Sequence, residues 1–222
     1  IWITDGKVHD VNFLDHMDFE AGAYYIMDRA YNDFERLKLM DDARSYFVLR
    51  AKSNMSYRRM EHRTVDKSTG VRSDQTIFLT GSTTRKAYPM GVRRVSYQDE
   101  EQGRLVFLTN NFRIAPLTVA KLYKCRWQVE LFFKWMKQHL RIKAFYGNSE
   151  NAVRTQIWIA ISTYCLVALV RKELQIERSL YEILQILDIS ILEKTPIKTV
   201  FARRSEKIHQ NHDANQPTLF GD

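Results

Sequence analysis

The chain has 222 residues, 45% hydrophobic and 27% charged, enough for one good-sized core with room for an inserted subdomain. Lys and Arg number 34 against 26 Asp and Glu, a net charge of +8 that suits a polyanionic partner without specifying one. Two cysteines, Cys125 and Cys165, exclude a disulfide framework in a chain this long and read as reduced thiols of a cytoplasmic protein; no Cys/His cluster has zinc spacing.

Residues 1–4 read as a strand end and Asp5-Gly6 as a turn. Asp10 is placed to cap a short helix that reaches about Met17. Turn and cap roles explain Asp5 and Asp10 without a metal, and His9 stands alone. Residues 23–27 (A-Y-Y-I-M) have the look of a parallel strand buried on both faces, and they end at Asp28. An acidic residue at the carboxyl end of such a strand sits where open α/β sheets bind ligands. Asn32 or Asp33 can cap a helix over residues 32–43, in which Phe34, Leu37 and Met40 share a face. Residues 46–51 read as the next strand.

From residue 53 to 112 the texture changes to short β-prone runs at 76–80, 92–97 and 105–109, the last two joined by a hairpin loop at 99–103. Arg58, Arg59, Arg63, Arg85, Lys86, Arg93 and Arg94 are scattered through it. This predicts a small antiparallel β subdomain inserted into an α/β domain. Each basic residue either grips a polyanion or belongs to a solvated surface.

Pro116 opens a long helix whose stretch 122–140 lacks Gly and Pro. With Tyr123 as zero on a helical wheel, Glu130, Lys137 and Arg126 fall within an arc of roughly 60°. Leu122, Val129, Phe133, Met136 and Leu140 form an apolar stripe beside it. A carboxylate among phosphate-seeking donors suits a helix that holds a metal ion and a nucleic-acid backbone together; a solvated face with an Arg126–Glu130 i,i+4 pair is the plain alternative.

The spacing Tyr123-x2-Arg126-x3-Glu130-x6-Lys137 resembles the signature of the insertion sequence 4 family of DDE transposases, as does the surrounding R-W-Q-V-E-L-F-F-K. Asp28-Arg29-Ala30-Tyr31 is similar to the family pattern that carries the second catalytic aspartate. The resemblance implies a ribonuclease H-like fold with a β insertion between the second and third catalytic carboxylates. It implies Asp28 and Glu130 as catalytic metal ligands, magnesium or manganese as cofactor, and double-stranded DNA at insertion-sequence ends as partner, with self-association on that DNA. Tyr123, Arg126 and Lys137 would handle the transposon-end strand; Trp127 would pack beneath the DNA end or join the core. Relatives also stack a Trp of the insertion on an extruded base, but the Trp residues here are at 2, 127, 135 and 158, leaving Tyr57, Tyr88 or Tyr97 as substitutes.

The first aspartate of a DDE site belongs on a first strand, for which no room precedes Asp28. The expectation is therefore an N-terminally incomplete ribonuclease H-like fold: a partial core over 1–52, a β insertion over 53–112, the catalytic helix and C-terminal helices over 113–194, and a polar, flexible tail over 195–222. Such a chain would be inactive alone; a catalytically dead DNA-binding remnant is the alternative.

Residues 151–173 and 179–187 read as further helices. The fourteen-residue apolar run 157–170 is too short for a bilayer and is expected to be a buried core helix, not a membrane span. His209 and His212 lack a third metal ligand nearby. In the tail, Gln216, Leu219 and Phe220 resemble the pentapeptide by which bacterial proteins dock on the replication sliding clamp; a pair folded back on the domain is the alternative.

Overall fold

Strands β1 (Tyr24–Met27), β2 (Tyr46–Arg50), β3 (Tyr57–Arg63), β4 (Val71–Leu79), β5 (Val92–Asp99) and β6 (Gly103–Thr109) form one sheet in the order β1-β2-β6-β5-β4-β3. β1 and β2 are parallel, with Ile26 opposite Val48; every other pairing is antiparallel. The structure, a computed structural model, describes residues 3, 7–140, 142, 144–190, 192 and 195–201. It divides into two units, Ile1–Phe133 and Lys134–Asp222.

Alternation along the strands gives the first unit two cores. Phe47 and Leu49 of β2, Ile77 and Leu79 of β4, Val92 of β5 and Leu108 of β6 point to one face and pack with Met27. Helix α1 (Phe34–Asp42) covers this face with Phe34, Leu37 and Met40, as its i, i+3, i+6 spacing predicts. Asp33 caps it, accepting from the amides of Glu35 and Arg36. The short helix α2 (Ser82–Ala87) follows β4 and packs against α1.

On the other face Val48, Val71, Val95, Leu105 and Phe107 pack with Ile26 under helix α3 (Pro116–Cys125), which contributes Val119, Ala120 and Tyr123. Pro116 occupies the first turn of α3, where its missing N–H costs nothing. The strands expected as a separate insertion thus continue the sheet of β1 and β2: β6 pairs directly with β2. β3, on the outer edge, carries Tyr-Arg-Arg-Met-Glu-His-Arg with almost every residue exposed, which hides it from a search for apolar alternation. Asp10 does not cap: it is the first residue of a 3-10 helix, Asp10–His16, behind His9. The 99–103 loop is the expected hairpin turn, closed by Asp99 accepting from the Glu101 and Gln102 amides, both at 3.0 Å, and by Gly103 at φ +71°.

One long helix was expected through residue 140. Instead α3 ends at Cys125 and α4 (Trp127–His139) begins after Arg126. Arg126 keeps right-handed dihedrals, but the chain tightens to i→i+3 bonds around it: its own N–H reaches Tyr123 O at 3.0 Å, and Val129 N–H reaches Arg126 O at 3.0 Å.

In the second unit, helix α5 (Glu150–Glu173) is capped by Ser149 and meets α6 (Leu180–Ser190). Val167, Ile183, Ile186 and Phe201 are the buried centre of their contact. The expectation of a buried core helix at 157–170 is overturned. Trp158, Ile159, Leu166 and Leu169 are exposed, and only 17% of the apolar window of α5 is buried, because its apolar residues run around the helix while α6 covers one side. The whole of α5 is long and apolar enough, by length and composition, to cross a membrane. Cys125 and Cys165 are free and exposed.

Candidate active site

Asp28 follows the last residue of β1. Tyr25 and Met27 belong to the α1 face and Ile26 to the α3 face, so strand parity directs Asp28, in extended backbone at φ −81° and ψ −177°, towards the α3 side. One carboxylate oxygen caps the 3-10 helix Arg29–Tyr31, accepting from Ala30 N at 2.7 Å. The other makes no hydrogen bond among the described residues. Burial raises the Tyr31 pKa, and the charges of Asp10 and Asp28 add to the effect.

The matching group lies at the α3–α4 junction. Tyr123 is 6% exposed; its ring packs 4.7 Å from that of Phe107. Arg126 sits with its guanidinium carbon 5.6 Å from the Tyr123 ring centre and donates from Nη2 to Glu130 Oε1 at 2.6 Å. Burial is the largest single influence on Arg126 and opposes its charge, but the hydrogen bond to Glu130 and the favourable interactions with Tyr123 and Glu130 together outweigh it and hold the pKa above its usual value. Arg126 Nε is buried without an acceptor among the described residues. Glu130 remains 42% exposed at its side chain.

Tyr123, Arg126 and Glu130 therefore form one connected group on the sheet face to which Asp28 is directed. Trp127 is 50% exposed and outside the core. Lys137, exposed, lies further along α4 in the second unit. Tyr88 is fully buried behind α1, bonded to Asp41, so it is not available to stack on a base; Tyr57 and Tyr97 line the sheet. Gln216, Leu219 and Phe220, and His209 and His212, lie outside the described residues.

Sequence reasoning missed what holds the junction in place. Arg93 of β5 and Asp74 of β4, each with a 3% exposed side chain, form a two-bond pair at 2.9 and 2.8 Å. Arg93 also donates from Nη1 to the carbonyls of Asn111 at 3.0 Å and Ile114 at 2.7 Å. Asn111 Oδ1 accepts from the Arg113 and Ile114 amides. This clasp fixes the segment that launches α3. Arg93 and Asp74 pair across neighbouring strands, so no local signal in the sequence marked them.

Carboxylate oxygens at Asp28 and Glu130 suit a hard divalent cation in kind. In number they are two, and the described residues contain no group of three His, Cys, Asp or Glu placed to hold a metal.

The mixed sheet thus carries an acidic residue at the end of β1 and an Arg126-paired glutamate on its α3 side. The family model of the transposase DDE domain matches residues 2–166, and the chain belongs to that family. It is 35% identical over 193 residues to a putative transposase, y4zB, of Sinorhizobium fredii, covering 85% of this chain and 53% of that protein. It is 33% identical over 166 residues to a probable transposase of insertion sequence element IS5377 from Geobacillus stearothermophilus, covering 74% and 43%. A putative transposase for element IS4SA of Synechocystis is 26% identical over 145 residues, covering 65% and 40%. The chain thus spans about half the length of the curated relatives it matches. DDE transposase domains generally use a divalent metal.

Proposed function

We propose that the protein carrying this chain is a DNA transposase that cleaves and joins strands at the ends of an insertion sequence, on a ribonuclease H-like fold, in the cytoplasm. The observation that carries the reading is the connected group Tyr123–Arg126–Glu130, built on the sheet face towards which Asp28 is directed. Asp28 and Glu130 would be the ligands of magnesium or manganese, which when bound activates an attacking oxygen and stabilises a leaving one. Arg126 has a planar fork, one arm on Glu130, and offers remaining donors to a phosphate. Lys137 supplies a point charge further along α4. Trp127, exposed beside Arg126, offers an apolar ring to a DNA end.

The test uses the full protein with the terminal repeats that flank its gene. Glu130→Gln and Asp28→Asn should each abolish strand cleavage in magnesium while leaving duplex binding intact. Binding without cleavage in the unmutated protein would support a catalytically dead DNA-binding remnant. Undiminished cleavage by both variants would remove these carboxylates from the site.

A further inference from the structure

Strand parity sorts the charges of β3–β6 by face. The strands contain three carboxylates, Glu61, Asp74 and Asp99, and all three lie on the α3 side. Each is engaged there: Glu61 by Arg63, Asp74 by Arg93 and Arg63, Asp99 by Lys124. The opposite face is different. Arg59 lies opposite Ile77, Arg94 follows Val92 by two residues, and Arg104 precedes Leu108 by four. Ile77, Val92 and Leu108 all belong to the α1-side core, so the three arginines share that face. None of them makes an ion pair among the described residues.

We infer that this face, opposite the Tyr123–Arg126–Glu130 group, is a second contact surface for the phosphate backbone of duplex DNA, read without regard to sequence. The inference rests on the proposal that the protein acts on DNA.

Two of the arginines are held in place by neutral partners. The Arg94 guanidinium carbon lies 5.0 Å from the Tyr57 ring centre, and Arg94 donates to Gln75 Oε1 at 3.2 Å. Arg104 Nε donates to Ser96 Oγ at 3.0 Å. These contacts set orientation without consuming charge. Burial lowers the Arg94 pKa, and the nearby Arg104 charge pushes the same way while Tyr57 opposes it, which marks a like-charge cluster. Beside it the hydroxyl of Ser73, strand partner of Ser96, is buried without a hydrogen-bond partner among the described residues.

Spacing favours a backbone over a small anion. From β3 to β6 is three strand gaps, and Arg59 and Arg104 are offset by about six residues along the strands, so their backbones are roughly 20–25 Å apart. Each strand of duplex DNA presents a phosphate about every 3.4 Å of helix axis, so such a diagonal tracks several phosphates. A free phosphate could meet only the Arg94–Arg104 end.

The experiment measures binding of the full chain to a fluorescent duplex of arbitrary sequence, by anisotropy, between 50 and 200 mM NaCl. The triple variant Arg59→Gln, Arg94→Gln, Arg104→Gln should bind more weakly and lower the slope of log affinity against log salt by about 2.7. That makes the salt response of the unmodified chain about 40-fold larger over this range. Arg59→Lys with Arg104→Lys should keep the slope, and Arg59→Gln with Arg104→Gln, both exposed, should lower it even if the half-buried Arg94 change disturbs folding. Equal slopes in the unmodified chain and both Gln variants would overturn the inference while leaving the DNA reading intact. No duplex binding by the unmodified chain would overturn both. Saturable binding of inorganic phosphate, lost in the Gln variants while their duplex affinity is unchanged, would assign the cluster to a small anion and overturn the backbone reading.

Discussion

Asp74→Asn should be among the most damaging single substitutions in the first unit. It keeps the side-chain volume but removes a carboxylate that is 3% exposed and bonded twice to a 3% exposed Arg93. The guanidinium then remains buried without a counter-charge, and breaking a buried pair in this way costs about 3–5 kcal/mol. Against a total stability of about 5–15 kcal/mol for a domain, that is about a fifth or more. Arg93→Met should cost less for the pair itself, because Asp74 retains Arg63 at 3.4 Å. It leaves the carbonyls of Asn111 and Ile114 without their donor, at about 1–3 kcal/mol for a buried group left unsatisfied. The double variant Asp74→Leu with Arg93→Met removes both charges and should be less destabilised than the sum of the singles.

Urea unfolding of the full chain followed by far-ultraviolet circular dichroism gives these free energies. Hydrogen exchange at residues 111–114 reports whether the launch of α3 loosens before global unfolding. A cost below about 1 kcal/mol for Asp74→Asn, or strict additivity in the double variant, would refute the reasoning.

Asp99 has its pKa lowered, first by the Lys124 hydrogen bond and then by the Gln102 amide. Its stabilisation is present above the unfolded value near 3.9 and is lost as pH falls through the lower folded value, so the melting temperature of the unmodified chain should fall more than that of Asp99→Asn as the pH drops below about 4. Gly70→Ala should destabilise by roughly 1–3 kcal/mol, since φ is +87° and an added Cβ would stand 2.8 Å from the Tyr97 ring; an unchanged calorimetric midpoint would show that the turn relaxes freely.

What the sequence disclosed follows from what is local. The Phe34, Leu37, Met40 face of α1, the Asp33 cap and the 99–103 turn depend on neighbours within a few positions, and all are seen. β3 was not legible because an edge strand with exposed residues carries no burial pattern. The continuity of β6 with β2 was not legible either, since the pairing of Val48 with Thr109 is decided by tertiary folding and not by composition. α5 shows the limit of hydrophobicity as a guide: the run at 157–170 declares apolar character on every side but says nothing of what lies against Leu166 or Ile159. At the candidate site, motif spacing supplied Asp28, Tyr123, Arg126 and Glu130, whereas Arg93 and Asp74, which steady the approach to α3, pair across strands and have no local signature.

The break at Arg126 changes the part played by Tyr123. A wheel of 100° per residue places its phenol on the same surface arc as Arg126 and Glu130. The i→i+3 bonds at the junction advance the chain by nearer 120° per residue, and the arc no longer holds across it. Tyr123 instead turns onto Phe107 in the core, while Arg126 rests over the Tyr123 ring and reaches Glu130. Support therefore runs outward from the core ring, through the guanidinium, to the partly exposed carboxylate. An arginine steadied on both sides loses less freedom when it takes a further ligand. The same two contacts limit where Glu130 can point. On this geometry Arg126 positions the glutamate, and Tyr123 acts through Arg126 from beneath.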